Sequence, residues 1–383
     1  MLTALYNTQI VSNGTITSGL AVIIDGDKIA DIVSVDDIPA HAQSVDLKGA
    51  FLAPGFIDLQ IYGAGKSLFG SLPSVDALAH MEQILLQQGC TGFFAAVATN
   101  ADEVVLQAIQ AAKAYRKDSL GNFLGLHLEG PYINALRKGA HPEKYIKKAT
   151  LPEIQHWVEL ADGEIKMITL APELQDEEII NYLHRQGIIL SSGHSNATYA
   201  QAKTFLNKPI AAVTHLYNAM PQMHHREPGI IPAIFEEKPY TSIVADGIHV
   251  NFTMIALAKR ELGNKLFLIT DAVTASNEGA YPHKLEGDRY VMPDGTLSGS
   301  ALTMLKAVQN CVEHVGINLG EAVNMASLYP AQLAGLKTKG KVDAGYDADL
   351  IIFDAEFNTV FTIYKGKSYN KPNQLHTINH LSA

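Results

Sequence analysis

Residues 188–220 read IILSSGHSNATYAQAKTFLNKPIAAVTHLYNAM, and the alternation within them decides the fold. Two short apolar runs, Ile188-Ile189-Leu190 and Ala211-Ala212-Val213, each lead to a histidine, His194 and His215. A helix-length segment, residues 197–207, separates the runs, so the stretch reads as strand, helix, strand. A parallel β-α-β unit brings both strand ends to one edge of a sheet, where the two imidazoles can converge. Neutral imidazole is the commonest protein ligand of a catalytic divalent metal, and convergence is what such a site requires. On this stretch alone, two ordinary surface or core histidines fit as well.

Working outward, eight short apolar runs follow residue 53, most of them separated by helix-length segments: 56–60, 92–97, 124–129, 167–171, 189–194, 211–215, 242–246 and 266–271. Eight is the number that closes a (β/α) barrel, with an open doubly wound sheet as the alternative. Helices are expected over 75–88, 101–116, 176–186 and 252–262, and two more over 302–315 and 319–329. Five runs end in a potential ligand or acid-base residue, namely Gln60, Glu129, His194, His215 and Asp271, with Asp246 and His249 at the end of the seventh. Barrel active sites are assembled from the C-terminal ends of several strands, so this regularity favours the barrel.

The flanks differ. Residues 21–24 and 28–33 surround Asp25-Gly26-Asp27, a hairpin signal, and the chain returns to strand-like sequence at 348–353 and 360–364. The expectation is an α/β protein. Residues 1–52 and 338–383 form a small composite β domain from both termini, and residues 53–337 form the inserted (β/α)8 TIM-type barrel.

Composition narrows the function. The 383 residues carry a net charge of −10, which argues against nucleic acid or an anionic membrane as partner. Any anionic substrate must then be held by local cations. Cys90 and Cys311 are too few for a disulfide framework or a Cys-ligated zinc. No basic leader or apolar run of about 18 residues is visible, so a soluble, cytoplasmic protein is expected. Gly63-Ala64-Gly65 lacks the third glycine of a dinucleotide fingerprint, which sets nucleotide cofactors aside.

Glu129, in HLEGPY, closes an apolar run where an unpaired carboxylate would be costly. A metal offsets that cost; a salt bridge to Arg137 or Lys138 is the plainer alternative. With His194 and His215 it makes one carboxylate and two imidazoles, a set suited to zinc or Fe(II) with a position left open for water. Such a metal acidifies its water from a pKa of 15.7 towards about 7. Asp271 is then the candidate base, with a helix N-cap as its structural alternative. His224, His225 and Arg226 form a local cation cluster in MHHREPG, suited to phosphate or to plain solvation. His141 and His249 are lone histidines of the same ambiguity.

Taken in order, PGFIDLQIYGAG, GLHLEGPYIN with KGAH, SSGHSNA, THLYNAM with HHREPG, VADGIHV, LITDAV and LSGSALTM resemble the successive motifs of the N-acetylglucosamine-6-phosphate deacetylase family, within the amidohydrolase superfamily. GYDADLIIFD is similar to the superfamily's returning β segment. The resemblance implies the barrel with its composite β domain, and a metal held by Glu129, His194 and His215, with Asp271 as acid-base residue. It further implies that His141 and His249 contact the sugar or its amide, that Asn218, Ala219 and Arg226 hold the phosphate, and that the protein is a homodimer. Many amidohydrolases carry His-x-His after the first strand for a second metal, whereas this chain reads Gln60-Ile61-Tyr62, so one divalent metal per site is expected. The function expected is hydrolysis of N-acetyl-D-glucosamine 6-phosphate to glucosamine 6-phosphate and acetate. The galactosamine epimer, another amide, or a non-catalytic scaffold are the alternatives.

Overall fold

The structure, a computed structural model, describes residues 2–369. Residues 370–383, the end of the expected composite β domain, lie outside the described residues. The chain divides into two compact units, Met1–Asp58 with Gln83–Gly92 and Thr303–Ala383, and Leu59–Glu82 with Phe93–Leu302.

All eight apolar runs contain strands: Phe56–Ile61, Cys90–Ala98, Phe123–Glu129, Ile165–Leu170, Ile189–Ser192, Ala212–Val213, Tyr240–Val244 and Leu266–Ile269. They lie in one sheet in chain order. From the second strand to the eighth every neighbouring pair is parallel. The first and last strands meet just past their ends, where Asp271 N–H donates to Gln60 O at 3.0 Å and Tyr62 N–H to Ala272 O at 2.9 Å. The sheet is thus a nearly closed barrel of the TIM type. Cys90–Ala98 is buried at every position, as expected of a parallel strand covered on both faces.

The connecting helices form where the apolar spacing and caps require them. Asp102–Tyr115 buries Val105, Ala108, Ile109 and Ala112, one stripe of a 3.6-residue period. Tyr199–Phe205 starts at Thr198, which with Gln201 makes a capping box. In the other unit, the segment expected as one helix over 319–329 is two, Leu319–Ala326 and Leu328–Leu333. Ser327 donates its hydroxyl to Val323 O at 2.6 Å, and Pro330 lacks the N–H a continuous helix would need. The segment expected over 302–315 is an α-helix, Met304–Asn310, running into a π-helical turn, Cys311–Val315.

Both flanks of the chain enter one six-stranded sheet, in which Leu52 pairs with Ile352 and Gln9 with Phe51. The expected hairpin joins Leu20–Asp25 to Lys28–Ser34, with Asp25 opposite Lys28 and Gly26 at a φ of 58° in the turn. No helix among the described residues is long and apolar enough to cross a membrane.

Two buried polar arrangements fix the barrel. Inside it, His127 Nδ1 faces Leu59 O at 2.9 Å and Nε2 faces Thr169 Oγ1 at 2.7 Å; Thr169 reaches Thr214 at 2.7 Å, and Thr214 reaches Ser191 at 2.6 Å. This chain of side-chain bonds ties four strands and the turn after the sixth into one layer. The other arrangement centres on Glu82, fully buried, whose carboxylate accepts from the hydroxyls of Tyr115 and Ser119 and from the N–H groups of Leu120, Gly121 and Phe123. It pins the loop that feeds the third strand. Glu82→Ala removes an acceptor from all five donors, of which Gly121 N–H keeps Ser119 Oγ at 2.9 Å, and is expected to cost about 3 to 5 kcal/mol, read as a lower urea midpoint, with Glu82→Gln intermediate.

Candidate metal centre and active site

Three of the expected site residues share one backbone feature. His194, His215 and Asp271 each stand two residues beyond the end of their strand, at Ser192, Val213 and Ile269. All three have left-handed backbones, with φ of 49°, 33° and 55°. Non-glycine residues seldom adopt this region, and the cost is concentrated where function needs a particular aim. The turn here swings each side chain from the sheet rim into the barrel mouth. Gly193 permits it beside His194, since a Cβ there would lie 2.5 Å from Thr169 Cγ2 and 2.9 Å from Thr214 Cβ.

Glu129 ends the third strand and is 2% exposed. Its Oε1 lies 2.9 Å from His215 Nε2, 3.0 Å from Gln60 Nε2 and 3.4 Å from His194 Nε2. Its Oε2 lies 3.2 Å from His141 Nε2 and accepts from the Tyr62 hydroxyl. Burial by itself would push this carboxyl up, but the contacts from His141, His194 and His215 outweigh it and hold it well below the usual carboxylate range. Burial, then the charges of Glu129 and Asp271, push the Tyr62 phenol up, so it stays a neutral donor. Neither Arg137 nor Lys138 takes the salt-bridge role considered from the sequence; Arg137 Nε bonds Asn196 Oδ1 and Lys138 pairs with Glu143.

The histidine tautomers bear on a metal. His194 Nδ1 is 2.7 Å from Arg137 O, and a carbonyl only accepts, so in the neutral ring Nδ1 carries the proton and Nε2 a lone pair. That lone pair lies 3.4 Å from a carboxylate oxygen and 3.1 Å from His215 Nε2. Acceptor facing acceptor in a buried setting is unfavourable unless a cation lies between them. The residues therefore fit a divalent metal, and the donor set of one carboxylate and two imidazoles suits zinc or Fe(II). Glu129, His141 and His194 also have ligand atoms within 4.8 Å of one another, so His141 belongs to the same cluster. Its other nitrogen, Nδ1, is held by Thr99 Oγ1 at 2.7 Å.

Asp271 is half-buried and its Oδ1 accepts from Gln60 Nε2 at 2.8 Å. One amide thus bridges Asp271 and Glu129. No helix starts after Asp271, since the next element is a strand at Lys284–Glu286, so the N-cap alternative is not realised. His249 Nδ1 is 2.5 Å from Asp246 Oδ2, while Asp246 Oδ1 accepts the N–H groups of Ile248 and His249. Asp246 thereby orients His249, and both follow the seventh strand.

Tyr62, Glu129, Asp271 and the four histidines His141, His194, His215 and His249 line a cavity of about 190 Å³ together with Asn218 and Ala219. The loop residues Gly139, Ala140 and His141 form one side of it. The insertion between the eighth strand and Met304–Asn310 supplies another, through Tyr281, His283, Leu297, Ser298 and Gly299. The insertion is a three-stranded sheet, Lys284–Glu286, Arg289–Val291 and Leu297–Ser300. Sequence reading marked LSGSALTM but gave no reason to single out Tyr281 or His283, which sit in irregular sequence without periodicity. No Lys or Arg lines the cavity among the described residues. Arg226, His224 and His225 are exposed and outside this lining, on the loop after the sixth strand.

Comparison with known proteins agrees with this geometry. Residues 51–374 match the amidohydrolase family, and residues 3–52 match the NagA composite domain. The N-acetylglucosamine-6-phosphate deacetylase of Haemophilus influenzae is 35% identical over 381 residues, spanning 95% of this chain and 98% of that protein. The crystal structure of N-acetylglucosamine-6-phosphate deacetylase from Pasteurella multocida matches with a TM-score of 0.93 at 34% identity, over 97% of this chain and 100% of that one. A variant of the Mycobacterium smegmatis enzyme in complex with N-acetyl-D-glucosamine-6-phosphate matches with a TM-score of 0.88 at 26% identity, over 97% and 99% of the two chains.

Tyr62→Phe removes a buried donor from Glu129 while keeping the ring. It is expected to lower the stability of chelator-treated protein by about 1 to 3 kcal/mol, measured by urea unfolding. An unchanged midpoint would mean that the hydroxyl does not support the carboxylate.

Proposed function

Because the chain belongs to the amidohydrolase family, in its N-acetylglucosamine-6-phosphate deacetylase branch, we propose that it hydrolyses N-acetyl-D-glucosamine 6-phosphate to D-glucosamine 6-phosphate and acetate. The observation that carries this reading is the buried Glu129 carboxylate shared by His194 and His215, with Asp271 joined to it through the Gln60 amide at the floor of one cavity.

Glu129, His194 and His215 would hold a divalent cation, which when bound supplies Lewis-acid polarisation of the acetamide carbonyl and acidification of water. Asp271 performs the proton transfers. One of its carboxylate oxygens accepts a proton from the attacking water as the new C–O bond forms, and the tetrahedral adduct collapses when Asp271 returns that proton to the nitrogen. The C–N bond then breaks, acetic acid and the free amine leave, the acid passes its remaining proton to the amine or to solvent to become acetate, and Asp271 is again a carboxylate. Gln60 keeps Asp271 directed at the cluster through its 2.8 Å bond. His141, tethered by Thr99, and His249, tethered by Asp246, both line the cavity and in this reading contact the acetamide and the sugar.

The same reading assigns one cation, zinc or Fe(II), to each site, because Gln60 and Tyr62 stand where a second metal would need two imidazoles. Phosphate binding falls to the backbone N–H groups near Asn218 and Ala219 and to Arg226, and a homodimer is the assembly in which an exposed loop such as 222–229 can serve a neighbouring cavity. Residues 1–52 with 338–383 are read as the composite β domain and 53–337 as the barrel, and the protein as cytoplasmic.

The experiment is acetate release from N-acetylglucosamine with and without its 6-phosphate, by metal-loaded protein beside a chelated control. Metal-dependent release from the phosphorylated sugar alone is expected; equal release from both would remove the phosphate role. Asp271→Asn is expected to lower kcat by on the order of 10² to 10⁴ with the metal content unchanged. Arg226→Ala is expected mainly to raise KM, as loss of a ground-state contact does, and a pure kcat effect would contradict the assignment.

A further inference from the structure

The insertion after the eighth strand brings one polar group to the cavity that the proposed chemistry leaves unused. His283 is 6% exposed and lines the cavity that holds Glu129, Asp271 and the histidine cluster. Its Nδ1 is 3.0 Å from Ser298 Oγ, and Ser298 lines the same cavity. Its backbone is fixed as well, since Ser276 N–H donates to His283 O at 3.0 Å. The ring stacks on Tyr281, centroids 6.0 Å apart and planes 18° apart, and meets Tyr290 edge-on at 6.4 Å. Tyr281 is in turn anchored beside the reacting centre, because its hydroxyl donates to Thr99 O at 2.6 Å and Thr99 Oγ1 holds His141.

The imidazole is therefore held on three sides, and one polar atom, Nε2, has no hydrogen-bond partner among the described residues. Burial pushes the ring's pKa down to about 4, so it is neutral at pH 7. A neutral, pre-oriented ring with one open nitrogen suits a hydroxyl, which donates and accepts, better than it suits a phosphate dianion. The bond to Ser298 keeps that nitrogen single-valued: whichever tautomer Ser298 stabilises, Nε2 presents one donor or one acceptor. A ring hydroxyl can answer either, and an apolar or absent group at that position would leave the nitrogen dry and unpaired.

We propose that His283 is a specificity-determining residue, whose Nε2 hydrogen-bonds a ring hydroxyl of the N-acetylated sugar phosphate and is positioned for it by Ser298 and Tyr281. This rests on the deacetylase reading given above and adds to it the side chain that checks the sugar. The insertion then acts as a reading surface for the sugar ring, opposite the metal-binding strand ends that act on the amide.

The test compares N-acetylglucosamine 6-phosphate with its 3-deoxy and 4-deoxy analogues and its galacto epimer, on the unaltered protein, His283→Ala and His283→Gln. For the unaltered protein, loss or inversion of the contacted hydroxyl is expected to lower kcat/KM about tenfold or more. In His283→Ala the parent substrate loses a similar factor, and the same analogue is expected to lose almost nothing further, with the metal content unchanged. His283→Gln, which keeps a polar end, is expected to recover part of the discrimination, and it serves in place of His283→Ala if that variant does not fold. Equal analogue penalties in the unaltered protein and in either variant would overturn the contact, since a merely structural role lowers all substrates alike. No turnover of the parent sugar by the unaltered, metal-loaded protein would overturn the deacetylase reading and the contact with it, and so is distinguished from failure of the contact alone.

Discussion

A buried negative charge is the constraint on which this structure depends. Taking a carboxylate out of water costs several kcal/mol even after relaxation, and only dense pairing offsets it. Glu129 meets that demand with five side chains from four separate segments, Gln60 and Tyr62 from one, and His141, His194 and His215 from one each. Four of these are held in turn: His141 by Thr99, His194 by the Arg137 carbonyl, Gln60 by its simultaneous bond to Asp271 and Tyr62 by the Gln60 amide, while His215 Nδ1 is buried without a hydrogen-bond partner among the described residues. A set so mutually constrained has few alternative arrangements. That gives the site its fixed geometry before any ligand arrives.

The barrel is what makes such pairing available. Parallel strands in chain order present all their C-terminal ends on one rim, so residues far apart in sequence meet there. The rim alone does not aim the side chains inward. His194, His215 and Asp271 do so by adopting left-handed backbones just past their strands, a local cost that the surrounding hydrogen bonds sustain. Beneath them, the bonds linking His127, Thr169, Thr214 and Ser191 give the strand ends a rigid floor. The nearly closed seam is part of the site too, because one of the bonds that close it runs from the Asp271 N–H to the Gln60 carbonyl.

The barrel strands and the residues that cluster at their ends, Glu129, His194, His215 and Asp271, were legible in the sequence because both follow from periodicity. An apolar run ending in Glu, His or Asp, repeated at helix-length intervals, is a local pattern with one economical explanation, and all eight runs contain strands. The break at Ser327 was not legible, since it depends on a hydroxyl turning back onto Val323 and on where Pro330 falls within the helix, not on hydrophobic spacing. His283 and Tyr281 were not legible either. They lie in a stretch without periodic pattern, and only tertiary contacts with Ser298 and Thr99 bring them to the cavity. Tyr62 was marked as a departure, but its partner Glu129 lies 67 positions away and no local signal joins the two.

Charge placement follows from the same constraint and sets how a phosphorylated sugar must lie. The floor of the cavity carries Glu129 and, beside it, Asp271, and no Lys or Arg lines the walls among the described residues. The divalent cation that the donor set suits would offset both carboxylates, so the floor favours the end of a substrate that needs a polarising centre, the neutral acetamide, without itself repelling a phosphate. In a protein of net charge −10 the anionic end then has to be met by specific groups rather than by the general field. Arg226, with His224 and His225, lies on the loop that follows His215, exposed and outside the cavity lining.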